Sequence, residues 1–112
     1  TPLWEQILPH VETPLVMPGS TEVGDVSQIT PTGQLTTCCW PLGTPGHSWQ
    51  IVASSGSSIG FKGLQLAAKA LALSGLDLLT RPDLLAAAQA EFKRKIDGRA
   101  YVSPLPDGAL PH

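Results

Sequence analysis

One histidine of this chain sits where an imidazole could act on a ligand. His47 lies in the glycine-rich stretch Gly43-Thr44-Pro45-Gly46-His47-Ser48-Trp49-Gln50. Glycines on its N-terminal side let the backbone bend, and the apolar run from Ser48 to Val52 anchors the other side. The imidazole is therefore expected at a loop edge, facing a cleft, with Gly46 and Ser48 beside it. Zinc or manganese sites need several imidazoles or carboxylates that converge on the ion. Taken alone, a single loop histidine is more often a surface or hydrogen-bonded residue than a ligand. The other two histidines are poorer candidates, because His10 lies in a proline-rich arm and His112 is the last residue, and neither place holds a rigid site.

A second candidate is the acidic turn Gly19-Ser20-Thr21-Glu22-Val23-Gly24-Asp25-Val26-Ser27. Glu22 and Asp25 are three residues apart and flanked by glycines, a spacing that could bring two carboxylates together to bind a metal or orient a histidine. The local alternative is that Asp25 or Ser20 caps a turn. Other signatures are missing from the sequence: there is no phosphate-binding Gly-Lys-Ser/Thr loop, no Gly-x-Ser-x-Gly elbow and no Cys-x-x-Cys pair. Ser55-Gly56-Ser57 reads as a loop and cap, not a nucleophile, since His47 is the one plausible base and no third group is placed to orient it.

The elements that must position these residues follow from periodicity and punctuation. Four prolines in the first eighteen residues make 1–18 a connecting arm, within which Leu3, Trp4, Ile7 and Leu8 have the spacing of one or two helical turns ended by Pro9. Residues 26–30 and 34–40 are rich in strand-formers and are separated by the turn-like Pro31-Thr32-Gly33; 48–53, with Trp49, Ile51 and Val52, gives a third strand or extended segment. The serines around Gly56 provide a helix cap. A long Ala- and Leu-rich helix is predicted over 58–79, with Leu64, Ala67, Ala68, Leu71 and Leu78 on one stripe and further leucines widening it, so that much of its surface should be buried. Pro82 suits the first position of a second helix over 82–97, whose stripe is Leu85, Ala88, Phe92 and Ile96, and Gly98 suits its C-terminal cap. From Tyr101 the tail is proline-rich and expected to be extended. Strands followed by two helices suggest an α/β or α+β unit, of which α/β is the expectation.

Composition limits the partners. With 42% hydrophobic and 14% charged residues, the 112-residue chain should be ordered, and it is long enough for one domain with a modest core. A net charge of -2 offers no footprint for nucleic acid or an anionic membrane, and no apolar run approaches the ~20 residues of a bilayer span. Lys93, Arg94, Lys95 and Arg99 complement the dipole at the end of the second helix. The adjacent Cys38 and Cys39 cannot bridge each other without strain, which points to free thiols and a reducing, cytoplasmic location; strand alternation would bury one and expose the other.

The stretch around His47 and the acidic turn, together with Ser57-Ser58-Ile59-Gly60-Phe61-Lys62-Gly63 and the end Ser103-Pro104-Leu105-Pro106-Asp107, resemble the C-terminal part of a metal-dependent amidohydrolase of the aminoacylase and carboxypeptidase-like family. The resemblance runs from about Pro18 to Pro111. It implies that 19–112 is the C-terminal portion of a zinc-peptidase-like catalytic domain. His47 would then be the closing ligand of a centre of one or two divalent ions, zinc or manganese. Related proteins carry Asp at the position of Glu22, Trp at that of Gln28 and often His at that of Phe61, so Asp25 is the carboxylate to carry over. The family's His-x-Asp pair and its adjacent Glu-Glu, one of which acts as general base, occur nowhere in the sequence.

The resemblance thus implies hydrolysis of an amide bond in an N-acyl amino acid, an aminobenzoyl-glutamate-like conjugate or a small peptide. The 112 residues alone are expected to be inactive and to need the preceding part of the catalytic domain and a lid domain as partners, with self-association through an uncovered apolar face also expected. The rival reading, from another class, is a stand-alone structural or interaction domain that keeps a hydrolase scaffold without its chemistry; coding sequence ahead of Thr1 that carries the two absent motifs would favour the enzyme.

Overall fold

A computed structural model describes residues 2–10, 19 and 21–109. Among these residues the chain forms four helices, α1 (Val23–Val26), α2 (Trp49–Ser55), α3 (Ser58–Thr80) and α4 (Pro82–Ile96), and no strand. The α/β expectation is therefore corrected to an all-helical arrangement. Each of the three strand candidates fails for a local reason. At 26–30 the amides close turns, with Gln28 N donating to Asp25 O at 3.0 Å and Ile29 N to Val26 O at 3.0 Å. Residues 34–39 follow no regular pattern and have no ladder partner among the described residues, and a strand needs one for its amides. At 49–55 the β-prone Trp49, Ile51 and Val52 are helical, because Ser48 is extended (φ -124°, ψ 161°) and its hydroxyl accepts the Ile51 amide, which starts a helix that satisfies its own backbone.

The described residues fall into two units, 2–10 with 34–80, and 19 and 21–33 with 81–109. In the first, α2 packs on α3 across the short link Gly56-Ser57. Ser57 makes the corner: its hydroxyl donates to Ser54 O at 2.6 Å and accepts from Ile59 N at 3.2 Å. Gly60 and Gly63 are the buried residues of α3. A Cβ at Gly60 would lie 2.6 Å from the carbonyl carbon of Ser55 at the end of α2, and one at Gly63 would lie 2.6 Å from Cys39 Sγ and against the Cys38 carbonyl oxygen. Missing side chains on this face of α3 are what let two other stretches of backbone close on it. Thr37 fixes the second crossing by donating its hydroxyl to Gly63 O at 3.0 Å.

The thiols are free, but both are half-buried, not one buried and one exposed. Without a ladder there is no sheet face to seal one of them: Cys38 Sγ donates to Trp40 O at 3.5 Å, while Cys39 Sγ faces Gly63 and lies 3.7 Å from Thr37 Oγ1. The short helix suggested for residues 3–8 is also absent. One or two turns cannot repay their nucleation cost unaided, and this stretch is instead tied down by Leu42 N donating to Pro2 O at 2.8 Å.

The long helix matches its predicted span to within a residue, but its leucine stripe is not covered. Leu64, Leu66, Leu71, Leu73, Leu76 and Leu79 are exposed, Leu79 at 87%, and no apolar side chain among the described residues is fully buried. No helix among the described residues is long and apolar enough to cross a membrane.

In the second unit Pro82 opens α4 as expected, and Leu84, Ala88, Phe92 and Ile96 form its half-buried stripe, with Leu85 turned outward. Asp97 (φ 51°) and Gly98 (φ 73°) take the left-handed conformation that ends it. The Arg99 guanidinium covers the terminal carbonyls, donating to Lys95 O at 2.8 Å and Ile96 O at 3.0 Å, so a cation sits where the helix dipole favours one. Beyond it the tail is irregular, with one turn from Ala109 N to Pro106 O.

Candidate functional site

His47 belongs to the first unit, in a loop that the sequence closes in two steps. Thr44 turns back on Pro41, donating both its amide (3.2 Å) and its hydroxyl (2.7 Å) to Pro41 O. Ser48 then closes the next turn: its hydroxyl donates to Pro45 O at 2.7 Å while accepting from Ile51 N at 3.4 Å. One side chain therefore both seals the loop behind His47 and caps the helix ahead of it. His47 itself is exposed and takes φ 52°, a left-handed conformation that costs an L-residue energy. Gly43, and not Gly46, takes the positive φ among the loop glycines (78°), and a Cβ at Gly46 would meet open space. The bend attributed to Gly46 is thus made by its neighbours.

Asp25 lies in the second unit, half-buried in the single turn of α1. Its Oδ1 accepts the Tyr101 hydroxyl at 3.0 Å, and Ser27 Oγ steadies the same turn by donating to Gly24 O at 2.7 Å. Tyr101 in turn has its phenol raised above the ordinary value, chiefly because its proton is shared with Asp25, then through loss of solvent and through the Asp25 charge, with the Ser103 hydroxyl acting the other way. Glu22 occupies the N-cap of α1 and is exposed, without a side-chain capping bond. Of the two turn caps that the local reading offers, Asp25 is engaged by Tyr101 and Ser20 lies outside the described residues; Thr21 Oγ1 accepts from Val23 N at 3.4 Å. Ser20, residues 11–18 of the arm and His112 lie outside the described residues; His10 is exposed in an irregular stretch.

Sequence reasoning did not find Tyr101, and nothing local in the sequence points to it: it enters the proline-rich tail 76 residues after the carboxylate it meets. Phe61, which stands where related proteins often have His, is exposed on the first turn of α3. Among the described residues no group of three or more His, Cys, Asp or Glu comes together as a metal ion requires. His47 could supply one imidazole, but these residues do not by themselves fit a resident metal.

No protein-family model matches the chain, and no solved structure does. The chain is nevertheless homologous to part of an amidohydrolase. That relative is one of the subunits of p-aminobenzoyl-glutamate hydrolase from Escherichia coli (strain K12), to which the chain is 37% identical over 111 residues. The match takes in 99% of this chain, while the chain spans 23% of the relative's length.

Proposed function

We propose that this chain works as part of a metal-dependent amidohydrolase that cleaves the amide bond of an N-acyl amino acid, an aminobenzoyl-glutamate-like conjugate or a small peptide. The observation that carries the reading is the 37% identity sustained over nearly the whole chain. In it, His47 gives a single imidazole to a centre of one or two divalent ions, zinc or manganese, whose other ligands and general base lie outside these 112 residues. One feature supports that role: His47 is exposed in a strained conformation at a loop closed on both sides by Ser48. The rival reading of a stand-alone domain is disfavoured by the exposed leucines of α3 and by the lack of any fully buried apolar side chain among the described residues. Cover for such a face would come from the preceding part of the catalytic domain.

The test is His47→Ala in the hydrolase that contains this chain, with metal content by elemental analysis and turnover of p-aminobenzoyl-glutamate. Loss of even a partner of a ligand typically costs 10- to 100-fold, so loss of the ligand should lower both by at least about tenfold. Replacement of His10 should change neither. Full metal content and unchanged turnover in His47→Ala would remove His47 from the site.

A further inference from the structure

The acidic turn is built on a helix too short to hold a side chain in place by itself. α1 has four residues, and the side-chain ties at its two ends, Thr21 Oγ1 accepting from Val23 N and Ser27 Oγ donating to Gly24 O, act on the backbone and not on the Asp25 carboxyl. What restrains that carboxyl comes from the tail: Tyr101 approaches from 76 residues away and donates its hydroxyl to Oδ1 at 3.0 Å. A phenol is suited to this, since only two side-chain torsions have to be fixed for the oxygen to be placed. It engages one carboxylate oxygen and leaves Oδ2 with its lone pairs for another donor or a cation.

We propose that Tyr101 is a positioning residue, which through its O–H···Oδ1 bond holds the Asp25 carboxylate in the orientation the hydrolytic site uses. The inference rests on the reading of Asp25 as part of that site. Tyr101 does not touch the substrate; it acts through Asp25. The raised phenol described above agrees with the geometry, because a proton shared with a carboxylate is harder to remove.

Tyr101 is the sole tyrosine of the 112 residues, so its ionisation can be followed by phenolate absorbance, and in a longer protein by the tyrosine ring-carbon resonance that Tyr101→Phe removes. Asp25→Ala should bring the phenol midpoint down toward that of free tyrosine. Asp25→Asn, which keeps an acceptor and the shape of the turn but not the charge, should give an intermediate value and guards against loss of fold. An unchanged midpoint in both variants overturns the contact and the proposal with it. In the hydrolase, Tyr101→Phe should lower kcat/KM about tenfold, the lower end expected when the partner of a site residue is lost. The double variant Tyr101→Phe/Asp25→Ala should be no worse than Asp25→Ala alone. A Tyr101→Phe loss that persists undiminished in the Asp25→Ala background also overturns it. If instead the midpoint shifts but Asp25→Ala keeps full turnover, the role of Asp25 in the site fails and the positioning role falls with it, whereas a midpoint that does not move fails the proposal and leaves the Asp25 reading standing.

Discussion

The joint between α2 and α3 predicts that one substitution will have opposite signs at two glycines of the same helix. Gly→Ala in a helix interior normally stabilises by about 0.5–1 kcal/mol, because alanine loses less backbone freedom on folding. At Gly75 a Cβ meets nothing within 4 Å, so that gain should appear in full. At Gly60 the Cβ would be 2.6 Å from both the carbonyl carbon and Cα of Ser55. Those are backbone atoms, so no rotamer change relieves the clash and α2 has to move off α3. Overpacking costs about 1–3 kcal/mol, and the upper end applies where only the backbone can give. Gly60 lies in the first turn of α3, where the propensity gain is at most that at Gly75, so the difference between the two variants is set mainly by the steric cost, about 3 kcal/mol. The assay is urea unfolding of both variants followed by helix circular dichroism, with the slope checked for constancy. If Gly60→Ala proved as stabilising as Gly75→Ala, the close approach of α2 to α3 would be refuted.

Two further perturbations test the loop and the tail. Ser48→Ala should lose about 1 kcal/mol with the α2 cap, and should speed exchange of the Ile51 amide, whose acceptor it removes; unaltered exchange there would count against the capping assignment. The Tyr101 phenol holds its proton more tightly in the folded than in the unfolded chain. Its contribution to stability is therefore present below the ordinary tyrosine value of about 10 and is lost as pH rises through the raised native value. Unfolding measured across that alkaline range should show the decline in the parent chain and not in Tyr101→Phe.

What could be read from the sequence was whatever is decided within a few residues. Pro82 at the first position of α4, Gly98 past its end and the serines around Gly56 mark helix boundaries by local chemistry, and α3 and α4 fall where those signals put them. The strand expectation fails because β-propensity reports how a side chain fits a half-buried sheet, and here no neighbouring strand among the described residues offers one. At Trp49, Ile51 and Val52 the stronger information was Ser48, which sits one residue ahead and caps. At the site, the His47 loop was legible as a turn, but the residue that takes the positive φ was not, since glycine at 46 was the more obvious choice than histidine at 47. The tie from Tyr101 to Asp25 depends on where the tail returns, and spacing along the chain carries no trace of that.

The backbone angle at His47 sets a trade-off that can be measured. A φ of 52° costs a residue with a Cβ about 1–2 kcal/mol that glycine would not incur. A chain selected for durability alone would carry glycine here, as it does just before, at Gly43 and Gly46. His47→Gly should therefore melt later than the parent while losing the imidazole. Anyone stabilising this protein on backbone geometry alone would be drawn to that replacement, and would gain robustness at the position where the proposed activity can least spare its side chain.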